Sequence, residues 1–272
     1  MKKMAILGCG NMSQALLKGY ERFPQHKSAY QFFFYNPTSA KAHVLKDLIG
    51  GIVVDEINQL PCCDFYLISC KPQHFMSLAL DLKKNIGRDA HVISLMAGIS
   101  LPFLCQSLGI AQATRAMPNI ACEIGQGLTL LLQTANTSTE IKTEIASFFK
   151  TGSQIFYVAD EDSLNYLSAI TCLAPAYLYE MCAELLKCTE KKEENKSHAF
   201  SMVLQSIVGS AQLMQDKKIS PQELTAKVAS KGGMTLAALE EWKKRGFSQM
   251  VEAGVEKAYE RAKNLGDPPV SR

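Results

Sequence analysis

The chain has 272 residues, 47% of them apolar and 20% charged, with a formal net charge of +3. That composition is ordinary for a globular protein, and so small a charge, with no Lys/Arg cluster marking a basic face, argues against a nucleic-acid partner. No run of about 18 apolar residues appears, so no membrane-crossing helix is expected.

Short apolar runs alternate with helical patterns from the N-terminus to about residue 158. Met1–Leu7 has the look of a signal peptide, but its apolar stretch is broken at Gly8 and Gly10 and lacks a cleavage site, so it reads as a first strand. Strands are predicted at Lys3–Leu7, Gln31–Tyr35, Phe65–Ser69, His91–Ser94, Ala113–Ala116, Leu128–Leu132 and Gln154–Val158. Helices are predicted near Ser13–Arg22, Ser39–Leu48, Phe75–Asn85, Leu101–Leu108 and Thr139–Lys150. This alternation implies right-handed crossovers and a mainly parallel, doubly wound α/β sheet of Rossmann type.

After Asp160 the alternation stops, and an all-helical C-terminal domain is expected: Ser163–Lys187, Ser197–Gln215, Pro221–Ala229, Met234–Lys244 and Phe247–Lys263. Ser220-Pro221-Gln222-Glu223 is a helix start, with Ser at the cap, Pro at the first position and Glu at the third. The charged stretch Thr189–Lys196 reads as a solvated turn and the tail Leu265–Arg272 as frayed. The expected domains are 1–160, the α/β half, and 161–272, the helical half.

The first strand delivers Gly8-Cys9-Gly10-Asn11-Met12-Ser13 to a helix start. In G-x-G-x-x-G loops the first glycine makes the turn, the second lets backbone approach a pyrophosphate, and the third position needs only a small residue, which Ser13 is. A glycine turn without a ligand is the plain alternative. At the end of the second strand, where NAD sites place an acid, the chain has Asn36-Pro37-Thr38-Ser39 with Lys41 close by. Neutral donors and a cation suit a 2′-phosphate, so NADP(H) is favoured over NAD(H); an N-cap for the next helix explains the same residues equally well.

Nine cysteines lie scattered, with no C-x-x-C pair and no Cys/His cluster at ligand spacing. They point to reduced thiols in the cytoplasm and to no metal. His26, His43, His74, His91 and His198 have no partner at catalytic spacing, and none is expected to be essential. Trp242 reads as core.

Longer strings carry a resemblance. Gly8-Cys9-Gly10-Asn11-Met12, Cys70-Lys71-Pro72-Gln73, Ser94-Leu95-Met96-Ala97-Gly98-Ile99, Arg115-Ala116-Met117-Pro118-Asn119 with Gly125-Gln126-Gly127, Pro175-Ala176-Tyr177 and Ser230-Lys231-Gly232-Gly233-Met234-Thr235 with Leu239-Glu240 occur in the order found in pyrroline-5-carboxylate reductases. The chain resembles that family nearly end to end. It departs from it at Thr171-Cys172-Leu173-Ala174, where the family carries glycines, at Lys231, where it carries proline, and at the charged turn 189–196.

The resemblance implies NAD(P)H-dependent reduction of 1-pyrroline-5-carboxylate to L-proline, the last step of proline biosynthesis. A related imine or keto-acid reductase and a non-catalytic dinucleotide-binding protein are the other readings. It further implies that Thr235 hydrogen-bonds the ring nitrogen, and that Ser230 with the Gly233 and Met234 amides, in the turn made by Gly232, holds the substrate carboxylate. Lys231 either adds a charge there or points into water. Lys71, Pro72, Ala97, Gly98 and Asn119 follow successive strands and are candidates for holding the cofactor, although Pro72 and Pro118 also suit strand ends. The helices 163–187 and 197–215 carry more apolar surface than one small domain needs, and the resemblance implies a homodimer, or a multiple of it, built from interleaved helical domains.

Overall fold

The computed structural model describes residues 1–23, 29–87 and 89–265; His26 and most of the expected frayed tail lie outside the described residues. The first half alternates as the apolar runs predict. The order is β1 (Lys2–Leu7), α1 (Asn11–Glu21), β2 (Tyr30–Tyr35), α2 (Ser39–Ile49), β3 (Ile52–Val53), β4 (Phe65–Ile68), α3 (Phe75–Leu82), β5 (His91–Ser94), α4 (Leu101–Leu108), β6 (Ala113–Pro118), β7 (Gly127–Gln133), α5 (Thr139–Lys150) and β8 (Ser153–Tyr157).

These strands form one sheet in the order β3-β2-β1-β4-β5-β6-β7-β8. The β1/β4 boundary is the switch point, where crossovers turn from one side of the sheet to the other. Successive β1 residues feed opposite faces. Met4 and Ile6 pack with Phe32, Phe34, Leu67 and Phe149, while Ala5 and Leu7 pack with Tyr66, Ile68, Phe75 and Leu104. Both faces are covered, which is why this strand reads as a continuous apolar run.

Two features go beyond the expected pattern. β3 is a two-residue edge strand beside Phe33 and Phe34, too short to leave a period in the sequence. β6 and β7 pair antiparallel, because Asn119–Gln126 is too short for a parallel crossover, which takes roughly a dozen residues.

The remaining helices are α6 (Glu161–Thr171), α7 (Ala174–Thr189), α8 (Lys196–Lys217), α9 (Pro221–Val228), α10 (Met234–Lys244) and α11 (Phe247–Asn264). The sequence predicts one helix over 163–187, but a turn at Cys172–Leu173 divides it. Pro175 lacks an N–H and is accommodated only in a first turn, here that of α7. Together α6 and α7 hold an 18-residue window of mean hydropathy 1.2, of which 6% is buried, so by length and composition this stretch does reach the range of a membrane span. The α9 start forms the expected capping box between Ser220 and Glu223. Trp242 is not core in this chain: it stacks on Phe247 at 5.3 Å between ring centroids and stays 42% exposed.

The described chain divides into two compact units, 1–173 with 256–272 and 174–255. The sequence pattern instead changes at 160. Helix α6 goes with the sheet because Leu164 enters the core beside Leu101 and Leu132 and Glu161 pairs with Arg115.

Candidate active site

Gly8 leaves β1 at φ +103, and a Cβ there would lie 2.7 Å from the Ser69 carbonyl carbon, so only glycine fits. Its N–H donates to the Tyr35 carbonyl at 2.9 Å. Ser13 sits fully buried, and its hydroxyl donates to the Gly8 carbonyl at 2.6 Å, tying the loop to the helix it feeds. Gln14 adds a bond from its amide to the Cys9 carbonyl at 3.0 Å.

Gly10 is the N-cap of α1, with extended backbone, no side-chain cap and no acid in the first turn. A Cβ at Gly10 would meet nothing within 4 Å. Open space over an uncapped helix start is the shape and polarity an anionic pyrophosphate needs, since the first-turn N–H groups have no partners within the helix. Asn11 and Met12 supply two of them. These residues fit a dinucleotide.

At the end of β2, Asn36 has both side-chain groups engaged. Its Oδ1 accepts the Cys9 N–H at 3.0 Å, and its Nδ2 donates to the Thr38 carbonyl at 2.9 Å. It braces the glycine loop. Thr38 occupies the N-cap position of α2 without a side-chain cap bond, and the first turn of that helix carries no acid. The α2 start thus presents no carboxylate of its own to repel a 2′-phosphate, and Lys41 is exposed.

The strands β1, β2, β4, β5 and β6 run parallel, so the loops after them emerge at one edge of the sheet. That edge gathers Gly8, Gly10, Asn11, Met12, Asn36, Pro37, Thr38, Lys71, Pro72, Ala97, Gly98 and Asn119. Lys71 is exposed and Pro72 opens a 3-10 turn. Gly98 has φ +77. Asn119 is spent locally: its Oδ1 accepts the Leu128 N–H at 3.1 Å and its Nδ2 donates to the Thr171 carbonyl at 3.3 Å.

Burial raises the thiols of Cys9 to about 12 and Cys70 to about 11, so neither is a nucleophile at neutral pH. A groove of about 450 Å³ between Tyr30 and Glu144 lies by the amino end of β2, away from these loops.

In the second unit, Ser230, Gly232, Gly233, Met234 and Thr235 cluster at the start of α10. Gly232 turns at φ +74, and the Gly233 N–H donates to the Ser230 carbonyl at 2.9 Å. A Cβ at Gly233 would lie 2.6 Å from Ser230 Oγ. Gly233 caps α10 without a side-chain bond, and the first turn again lacks an acid. Met234 is 91% exposed and Thr235 is exposed. Contrary to the sequence expectation, the Gly233 N–H is spent inside the turn; what the turn offers an anion is the Met234 N–H with the Ser230 and Thr235 hydroxyls.

Sequence reasoning assigned no role to Arg115, Glu161 and Asn165. The signal was an arginine inside an apolar strand. Arg115 is 1% exposed and forms an ion pair with Glu161. Its Nη2 donates to Asn165 Oδ1 at 3.3 Å and to the Met96 carbonyl at 3.5 Å. Burial pushes its pKa down while Glu161 pulls it back up.

Residues 161–265 match the model of pyrroline-5-carboxylate reductase dimerisation, and residues 3–98 match that of the NADP oxidoreductase, coenzyme F420-dependent. The chain is 26% identical over 268 residues to the pyrroline-5-carboxylate reductase of Staphylococcus aureus (strain COL), covering 97% of this chain and 98% of that one. It is 24% identical over 266 residues to the Escherichia coli (strain K12) enzyme, with coverage of 97% and 98%. Among solved structures, Plasmodium falciparum pyrroline carboxylate reductase with NADP bound aligns at TM-score 0.86 and 23% identity, over 98% of both chains. The Streptococcus pyogenes 1-pyrroline-5-carboxylate reductase aligns at 0.83 and 25%, over 96% of this chain and 98% of the other. Residues 161–265 thus carry a pyrroline-5-carboxylate reductase dimerisation segment, and the chain is similar to pyrroline-5-carboxylate reductases over nearly its whole length.

Proposed function

We propose that the protein reduces 1-pyrroline-5-carboxylate to L-proline with NADPH. The observation that carries this reading is the pair of uncapped, acid-free helix starts. One, at Gly10, lies beneath open space after β1; the other, at Gly233, lies in the segment matched by the dimerisation model.

Gly10, Asn11 and Met12 would hold the pyrophosphate of NADPH, with Thr38 and Lys41 toward its 2′-phosphate and Lys71, Pro72, Ala97 and Gly98 toward the nicotinamide. Asn36 and Asn119 support these loops rather than touch the ligand. Once bound, the coenzyme supplies a hydride to the imine carbon. The Ser230 hydroxyl and the Met234 amide hold the substrate carboxylate, the Gly233 amide being spent on the Ser230 carbonyl, and the Thr235 hydroxyl bonds the ring nitrogen and orients it. The imine nitrogen carries its proton before transfer, and the hydride added to the carbon completes the amine. A protonated imine is already electrophilic, so positioning and electrostatics do the catalytic work without a strong acid. NADH at the same residues lacks the 2′-phosphate and is the poorer fit.

The domain assignment, 1–160 for the cofactor and 161–272 for substrate and dimerisation, belongs to the same proposal. Among described residues of 174–255, Ala199 alone is buried. Phe200, Leu204, Val208 and Leu213 on α8 and Tyr177, Met181 and Leu185 on α7 stay exposed. Helices without a core of their own require a covering surface, and the segment's match to a dimerisation model favours a second copy over lipid. The nine free cysteines agree with a cytoplasmic enzyme.

Oxidation of NADPH in the presence of pyrroline-5-carboxylate, with L-proline identified as product, tests the activity. Cofactor binding without turnover of this or related cyclic imines would show a binding protein instead. Sedimentation tests the assembly, a stable and active monomer of 29.9 kDa excluding the dimer.

A further inference from the structure

The loop between β5 and α4 carries Ala97 and Gly98, and it is held from outside at both ends by one ion pair. At its start, the Met96 carbonyl accepts a bond from Arg115 Nη2 at 3.5 Å. At its end, the Leu101 N–H donates to Glu161 Oε1 at 2.6 Å. Arg115 Nη1 bonds Glu161 Oε2, and Asn165, one turn further along α6, accepts from Arg115 Nη2 at 3.3 Å. Between the two held atoms lie Ala97, Gly98, Ile99 and Ser100, and Ser100 caps α4 by accepting the Phe103 N–H at 3.4 Å.

Arg115 is almost fully buried, whereas the Glu161 side chain remains 31% exposed. Burying a guanidinium is costly, and a hydrophobic side chain of similar size would fill the space with less penalty. A planar fork with several fixed donors does what an apolar side chain cannot: it ties one carboxylate and one carbonyl in a set geometry. We propose that Arg115 and Glu161 are positioning residues that fix the Ala97–Gly98 loop for hydride transfer, neither of them touching substrate or cofactor. The assignment rests on the proposed function, which puts this loop at the nicotinamide.

The pair also links the loop to α6, the first helix of the segment matched by the dimerisation model. The loop's position is thereby set from the helical segment as well as from its own strand.

Three variants test this. Arg115→Met removes the donors and leaves Glu161 free to be solvated. Arg115→Lys keeps a cation for Glu161 but loses the fork. Glu161→Gln keeps an oxygen for the Leu101 N–H and loses the charge. Hydrogen exchange in the cofactor-free protein is the first readout. Arg115→Met and Arg115→Lys should speed exchange at 97–101 selectively, leaving the first turn of α1 as in wild type. Kinetics are the second: kcat should fall roughly 10- to 100-fold in both, as expected for a reacting geometry loosened by about 1 Å, with KM for NADPH nearly unchanged.

Glu161→Gln should show a smaller kcat loss than either arginine variant. Full rescue of kcat and of loop exchange by Arg115→Lys overturns the proposal, because any cation would then suffice. Uniformly faster exchange across the sheet in all three variants also overturns it, since the pair would then serve stability alone. If wild type does not turn over pyrroline-5-carboxylate, the proposed function fails, while loop exchange still decides whether the pair holds the loop.

Discussion

Asn36 accepts the Cys9 N–H at 3.0 Å through its Oδ1, so the residue at the end of β2, where the proposed function places coenzyme selection, is the brace of the glycine loop. Two substitutions separate these roles. Asn36→Ala leaves that N–H without its acceptor, at a cost of about 1–3 kcal/mol, and should weaken NADPH and NADH binding alike. Asn36→Asp keeps an oxygen for Cys9 and adds a charge near the 2′-phosphate. Preference for NADPH over NADH should drop by roughly tenfold or more, about 1.4 kcal/mol. Fluorescence titration of both coenzymes checks this; an unchanged ratio in Asn36→Asp puts the 2′-phosphate elsewhere.

The two loop glycines should fail differently. At Gly8 the positive φ and the 2.7 Å approach to Ser69 mean that Gly8→Ala strains and overpacks the native chain, by roughly 2–6 kcal/mol together. At Gly10 the backbone has φ −78 and the space is open, so Gly10→Val should fold with a near-native melting temperature and still lose NADPH. Melting curves with and without NADPH compare them; a Gly10→Val protein that binds normally removes the pyrophosphate assignment.

Thr235→Ala should lower kcat/KM by roughly 1.5–3 kcal/mol, as expected for a lost hydrogen bond to a charged nitrogen. NADPH affinity should stay put, because Thr235 and the glycine loop belong to different compact units. Steady-state kinetics with coenzyme and imine varied in turn test the split, and wild-type turnover in Thr235→Ala ends the substrate role of this turn.

His91 makes stability pH-dependent. It is 1% exposed, its Nε2 lies 2.8 Å from Thr114 Oγ1, and burial lowers its pKa from 6.5 to about 4. The native state thus keeps it neutral where the unfolded chain takes up a proton. The stabilisation is complete above pH 6.5 and is lost as pH falls toward 4, up to about 3 kcal/mol. Urea titrations at pH 7.5 and 5 should show this loss, and His91→Asn should flatten it. An equal pH slope in the variant assigns the effect to other groups.

Much of the fold was legible because its signals are local. Glycines with no room for a Cβ, as at Gly8, the capping residues of α9, and apolar runs at strand length act through neighbours in the chain. β3 was not legible, since two residues carry no period. The break at Cys172–Leu173 hid in an apolar run whose only sign was Pro175.

The candidate site divides the same way. Its loops could be placed at one sheet edge from the alternation of elements alone, and their residue types pointed to an anionic dinucleotide. The sequence by itself determined the doubly wound half, the glycine loop and the order of motifs, because turn chemistry and hydrophobic period are properties of adjacent residues. Tertiary structure decided what the side chains do. Asn36 and Asn119 serve as braces, Ser13 bonds the loop it follows, and Arg115 meets Glu161 across 46 positions. A polar side chain is committed by whichever donor or acceptor folding brings within about 3 Å, and residues that meet only after the sheet forms leave no mark in the spacing between them.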